Sequence, residues 1–256
     1  MSNIKNAFAN GKAFIPFITC GDPDIETTYN VVIEAVKNGA DLIELGIPFS
    51  DPTAEGPVIQ EANIRALSGG TTTDKVFDLV RKLRETVTIP LVFMTYANVV
   101  FSYGADRFIK TCSEIGIDGL IIPDIPFEEK EEFTPYCEKY DVDLISMIAP
   151  TSEDRIAMIA KEAKGFIYVV SSMGVTGTRS SFSNDLSKIT EKIREVTDVP
   201  CAIGFGISNP EQAKKMAAIS DGAIVGSAII KILAAHGKEA PSYVGEFVKS
   251  MKDAII

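Results

Sequence analysis

The chain has 256 residues, 46% of them hydrophobic, enough to bury the core of one α/β barrel or of two smaller domains. Its formal net charge of −10 argues against nucleic acid or an anionic membrane as partner, since either needs a basic patch, but backbone N–H groups can still bind a phosphorylated small molecule. Four widely spaced cysteines (Cys20, Cys112, Cys137, Cys201) without a CxxC pair, together with a single histidine, argue against a zinc site and for reduced thiols in a cytoplasmic protein. Residues 1–12 carry no apolar run, so no signal peptide is expected, and no apolar run approaches the ~18 residues of a membrane span.

Short apolar runs alternate with stretches whose apolar residues recur every three or four positions. The first pair is strand Phe14–Ile18 and helix Asp24–Lys37. Strand Leu42–Leu45 is followed by a long excursion, Gly46 to Thr73, before helix Asp74–Glu85. Strand Leu91–Met94 leads to helix Asp106–Ile115, strand Gly119–Ile122 to helix Glu128–Lys139, and strand Leu144–Met147 to helix Glu153–Ala163. After strand Phe166–Val170 comes a second excursion, Ser171 to Asn184, and helix Asp185–Val196. Strand Ala202–Gly204 with helix Pro210–Ala217, and strand Ala223–Val225 with a short helical run from Ala228, complete the series.

These strands are too continuously apolar for a one-sided antiparallel sheet and read as buried parallel strands. Turn-forming entrances such as Asn38-Gly39-Ala40-Asp41, Ile115-Gly116-Ile117-Asp118 and Ile219-Ser220-Asp221-Gly222 close a helix and open the next strand. Eight βα repeats with no linker or low-complexity tract predict one domain over residues 1–256. The expected fold is α/β, a single (β/α)8 TIM barrel with an N-terminal helix and a short extra helix after the eighth strand. Both excursions follow a strand's C-terminal end, which is the functional face of such barrels.

Three glycine-bearing segments stand at the ends of the last three strands: Gly174-Val175-Thr176-Gly177, Gly204-Phe205-Gly206 and Gly226-Ser227. A single one reads as a tight turn. Three in register predict a phosphate site, because glycine lets backbone N–H groups approach an anion and the helix after Gly226 supplies further donors.

Glu44 lies inside an apolar strand with no strand lysine or arginine to pair with it, so it reads as a proton-transfer residue. Asp124, between two prolines, either faces a ligand or organises its turn. Glu55 sits in the shaped, proline-rich loop after the second strand. Phe17, Tyr96, Met147, Tyr168 and Phe205, all near strand ends, suggest a flat apolar ligand group beside the phosphate. No lysine stands at a strand end for a Schiff base, and ligands for metal-assisted chemistry are missing, so neither cofactor nor metal is expected. His236 reads as a surface residue near a turn.

The segments Glu44-Leu45-Gly46-Ile47-Pro48-Phe49-Ser50-Asp51-Pro52, Gly174-Val175-Thr176-Gly177, Gly204-Phe205-Gly206-Ile207-Ser208 and Val225-Gly226-Ser227-Ala228-Ile229 resemble the tryptophan synthase α subunit family, and the resemblance runs over essentially the whole chain. It implies reversible aldol cleavage of indole-3-glycerol phosphate to indole and glyceraldehyde 3-phosphate. Glu44 matches the family's acid/base residue. A second family carboxylate, an Asp before Gly-Pro, accepts the indole N–H; here that position is Glu55 before Gly56-Pro57, one methylene longer. The resemblance also places Tyr168 near Glu44 and makes Thr176 the clamp on the second carboxylate when its loop closes. Gly177, Gly206, Gly226 and Ser227 become the phosphate ligands. It further implies a β subunit partner in an α2β2 complex, contacted through Pro48, Asp51 and Pro52. The alternatives are another phosphate-binding barrel enzyme, or a catalytically impaired subunit that binds and regulates the β chain.

Overall fold

The computed structural model describes residues 2–171, 179–204 and 206–256, with backbone alone over 179–185. Nine strand segments form one parallel sheet: β1 (Ala13–Thr19), β2 (Ile43–Gly46), β3 (Leu91–Met94), β4 (Gly119–Ile121), β5 (Asp143–Leu144), β6 (Ser146–Ile148), β7 (Ile167–Val170), β8 (Cys201–Gly204) and β9 (Gly222–Val225). Their order is β5-β4-β3-β2-β1-β9-β8-β7-β6. The two ends of that order, β5 and β6, are separated in the chain by Ile145 alone, whose N–H donates to the Leu120 carbonyl at 2.9 Å. One continuous strand therefore pairs with β4 through its lower half and with β7 through its upper half, and the barrel closes. The expected strand Leu144–Met147 is thus two segments, because the stagger needed to close a barrel makes each edge of a strand pair at a different height.

The helices are α1 (Ile25–Lys37), α2 (Pro57–Ser68), α3 (Thr73–Arg84), α4 (Ala97–Tyr103), α5 (Ala105–Glu114), α6 (Thr134–Tyr140), α7 (Glu153–Lys161), α8 (Arg179–Arg194), α9 (Pro210–Ile219), α10 (Ser227–His236) and α11 (Ala240–Ile255). The expected N-terminal helix is a 3-10 turn, Ile4–Phe8. Asp24, Thr72, Ser152 and Asn209 cap α1, α3, α7 and α9, each accepting a backbone N–H three residues on. The expected helix Glu128–Lys139 is instead a 3-10 segment, Phe127–Glu132, followed by α6. Pro135 explains the break, since in a continuous helix its ring would meet the carbonyl four residues back.

Alternation along the strands divides inside from outside. On β7 and β8, Ile167, Val169, Cys201 and Ile203 pack outward with Ile156, Ile159, Leu186 and Ile193, while Tyr168 and Ala202 belong to the main core. On β3, Phe93 stacks outward with Phe77 of α3 and Phe108 of α5. The strand-entrance aspartates act as clamps at the opposite end from the site. Asp41 accepts the Phe14 N–H at 2.7 Å, Asp118 that of Leu91 at 3.0 Å and Asp221 that of Cys201 at 2.9 Å. Each therefore ties one strand's start to its neighbour, and Lys252, Arg84 and Arg194 neutralise them in turn. No helix among the described residues is long and apolar enough to cross a membrane.

Candidate active site

Glu44 stands on β2 in register with Phe17 of β1 and Val92 of β3, one pleat below the strand's C-terminal end. It is only 1% exposed, and neither carboxylate oxygen has a hydrogen-bond partner among the described residues. Burial, and then the negative charge of Glu55, push its pKa from an ordinary 4.5 to about 8. The acid is therefore protonated at neutral pH. The hydroxyls of Thr19 and Thr95, at the same ends of β1 and β3, are likewise buried without a partner.

Glu55 reaches the site from the loop between β2 and α2. Asn63 of α2 donates its side-chain N–H to Glu55 Oε2 at 2.6 Å, and Gln60 Nε2 donates to the Glu55 carbonyl at 2.8 Å. Burial raises the Glu55 pKa to about 7, against the lowering effect of the Asn63 bond. The two carboxylates thus differ in setting, one enclosed and bare, the other half-buried and hydrogen-bonded, which suits an acid and an ionised acceptor respectively.

Tyr168 of β7 is buried against the charge of Glu44; enclosure, then that charge, hold its hydroxyl well above the usual tyrosine range. A Cβ on Gly204 would lie 2.4 Å from the Tyr168 hydroxyl oxygen, so this glycine of β8 leaves room for the ring. Phe17 is accommodated in the same way. A Cβ on Gly46 would stand 2.6 Å from its ring, and one on Gly226 3.2 Å from it. Gly46, Gly204 and Gly226, three glycines at strand ends, therefore admit aromatic rings beside Glu44, in addition to any part in anion binding.

Tyr96 heads α4, but its hydroxyl is already engaged: the Ala54 N–H donates to it at 3.1 Å, and its ring packs on Phe49 at 5.2 Å. It supports the loop that carries Glu55. Enclosure raises its pKa to about 12. Asp124 is exposed and accepts the Ala97 N–H at 3.0 Å, so it supplies the cap that α4 lacks on its own chain segment. That bond organises the start of α4 and not the turn in which Asp124 itself stands. Met147 of β6 lines a cavity of about 860 Å³ between α6 and α7, which touches neither Glu44 nor Glu55.

On the other side of the mouth, Gly206 follows β8 with φ +73°, and Gly226 precedes α10, whose first turn has no side-chain cap. Ser227 is exposed there, which leaves a helix N-terminus open to an anion. Thr176, Gly177 and Phe205 lie outside the described residues. In the loop after β2, Asp51 is exposed while Pro48 is buried and Pro52 half-buried. His236 is exposed at the end of α10 and stacks on Tyr243, with ring centroids 3.8 Å apart.

Sequence reading missed α2, which packs on β1 and α10. Its buried face is Ala62, Asn63 and Ala66, too small and polar to show apolar periodicity, and Pro57 at its first turn reads as loop. It also missed the ion pair between Asp22, just after β1, and Arg65 of α2, two bonds of 2.8 and 2.7 Å on a carboxylate 1% exposed.

A buried acid of raised pKa, a second carboxylate and an open helix N-terminus thus stand around one barrel mouth. The tryptophan synthase alpha chain family model matches residues 3–255. The chain belongs to that family. The tryptophan synthase alpha chain of Lacticaseibacillus casei is 50% identical over 255 residues, covering 100% of this chain and 96% of that protein. That of Lactiplantibacillus plantarum is 48% identical over 256 residues, covering 100% and 97%. Among solved structures, the tryptophan synthase subunit alpha of Legionella pneumophila str. Paris superposes with a TM-score of 0.90 at 36% identity, covering 100% of this chain and 98% of that one. The tryptophan synthase complex of Pyrococcus furiosus gives 0.85 at 31% identity, covering 94% and 98%. The chain is a carbon–carbon lyase whose reaction is the reversible cleavage of indole-3-glycerol phosphate to indole and glyceraldehyde 3-phosphate.

Proposed function

We propose that Glu44 and Glu55 divide the proton chemistry of this cleavage. Protonated Glu44 delivers its proton to indole C3, which makes the ring an indolenine cation. Glu55, ionised, accepts the ring N–H and stabilises the positive charge. Glu44, now a carboxylate, takes the proton of the C3′ hydroxyl as the carbon–carbon bond breaks. The bonding pair returns to the ring, the aldehyde of glyceraldehyde 3-phosphate forms, and Glu44 ends protonated as it began. The phosphate rests on Gly206, Gly226 and Ser227 at the head of α10, joined by Gly177, with Thr176 clamping Glu55. Phe17, Tyr168 and Phe205 surround the indole.

The observation that carries this reading is a carboxyl group enclosed in the barrel with no hydrogen-bond partner among the described residues, where burial raises its pKa. The protein acts in the cytoplasm, where its four buried cysteines stay as free thiols. It docks a tryptophan synthase β subunit through the loop bearing Asp51 and Pro52, as members of an α2β2 complex do; the solved relative from Pyrococcus furiosus is such a complex. The test is indole release from indole-3-glycerol phosphate by the purified chain, with and without a β subunit. Turnover lost in Glu44→Ala and in Glu55→Ala is the expected result. Binding to β with no turnover in the unaltered chain would favour the regulatory reading instead.

A further inference from the structure

The loop that carries Glu55 is held at three points. Tyr96 accepts the N–H of Ala54, Gln60 donates to the Glu55 carbonyl, and Asn63 donates to the Glu55 carboxylate. The first two fix the backbone; among the described residues only the third fixes the carboxylate. Asn63 is 4% exposed in the middle of α2, a place where asparagine is a poor helix former and a buried amide is costly unless bonded. The helix is itself anchored, because Arg65 grips buried Asp22 at the end of β1 and α2 packs on β1. Asn63 therefore stands on a rigid support, whereas Glu55 stands on a loop.

We propose that Asn63 is the positioning residue for the longer second carboxylate of this chain: its amide occupies Glu55 Oε2 and leaves Oε1 to take the indole N–H. This rests on the reading of Glu55 given above. The extra methylene of Glu is taken up by reach toward Asn63, not by a displaced loop. A shorter Asp on the same backbone would end one bond of about 1.5 Å earlier, which stretches the 2.6 Å contact to roughly 4 Å. The two backbone tethers, at 3.1 and 2.8 Å, hinder the loop from following.

Among the described residues, the charge of Glu55 acts on Glu44 of β2 and on Tyr96 at the head of α4, while Glu61 and Arg65 of α2 interact with each other. All of them remain when Asn63 is replaced, so a change in the acid limb of the rate profile reports on the Asn63 bond. An N–H donor favours the ionised carboxylate, and its loss moves that limb to higher pH.

The experiment compares kcat, KM and pH profiles for indole release by the full chain with Asn63→Leu, which keeps the volume and removes the donor, and with Glu55→Asp, a loop change that leaves the core intact. Asn63→Ala takes the place of Asn63→Leu if the latter does not fold. Expected are a kcat lower by about 10-fold to 10²-fold in both variants, as a carboxylate misplaced by about 1 Å gives, and an acid limb moved upward in Asn63→Leu. In a Glu55→Ala background Asn63→Leu has no further effect on the residual rate. The same fold-loss with and without Glu55, or wild-type kcat in Asn63→Leu, overturns the proposal. Full turnover in Glu55→Ala would instead overturn the role of Glu55 itself, so the two failures are distinct.

Discussion

Replacing Glu44 by glutamine should abolish the reaction and make the barrel more stable. The side chain is fully enclosed with both oxygens unpartnered among the described residues, and its pKa moves from 4.5 to about 8 on folding. Below pH 4.5 the carboxyl is protonated in both folded and unfolded chains, and nothing distinguishes them. Between 4.5 and 8 the unfolded chain ionises and the folded one does not, so stability falls as pH rises, by about 1.4 kcal/mol per unit. Above 8 both are ionised and the fall stops, at a total of about 5 kcal/mol. The loss works out at about 4 kcal/mol at pH 7.5 and about 1 kcal/mol at pH 5. Glutamine resembles the protonated acid in size and neutrality and carries no such dependence. Urea unfolding of the wild type and Glu44→Gln at the two pH values measures it: the variant should gain stability at pH 7.5 and most of that gain should vanish at pH 5. Equal stability at pH 7.5, or a gain independent of pH, would refute an enclosed, protonated Glu44.

The same two carboxylates should shape the rate. With Glu55 ionising near pH 7 and Glu44 near 8, kcat/KM for cleavage is expected to be a narrow bell, rising as Glu55 loses its proton and falling as Glu44 loses its own, read from initial rates of indole release. Gly204→Ala should place a methyl 2.4 Å from the Tyr168 hydroxyl oxygen; a loss of about 1–3 kcal/mol in urea unfolding, with lowered turnover as Tyr168 is displaced, is the expected outcome.

What could be read from the residues in advance was local. Strand alternation is enough to turn Glu44 inward, and no lysine or arginine stands in any described strand to pair with it. Glycines at strand ends mark the mouth. The entrances ending in Asp41, Asp118 and Asp221 are legible as turns, but not as clamps on the neighbouring strand, because their partners are supplied by the closed sheet. The same holds for the site's supports. Tyr96 meets Ala54 across 42 residues, and Arg65 meets Asp22 across 43. Such pairs have no periodicity to betray them. The split of the fifth strand is similar: the run Leu144–Met147 reads as one strand, and barrel stagger decides which edge each half pairs with.

The division between the two faces has an energetic meaning. Domains are stable by about 5–15 kcal/mol, so an enclosed acid costing about 5 kcal/mol near pH 8 is a large share of the total. At the opposite end of the barrel three carboxylates each accept a backbone N–H near the start of the neighbouring strand and are neutralised by a lysine or arginine: Asp41 by Lys252, Asp118 by Arg84, Asp221 by Arg194. Among the described residues at the mouth, no cation pairs with Glu44 and the Glu55 carboxylate is bonded to a neutral amide. A lysine beside either would remove the strain and the chemistry together, since it would hold Glu44 ionised and leave no proton for indole C3. The stabilising pairs can stand at the foot of the strands because nothing there must change its protonation state. At the mouth the same pairing would stop the reaction.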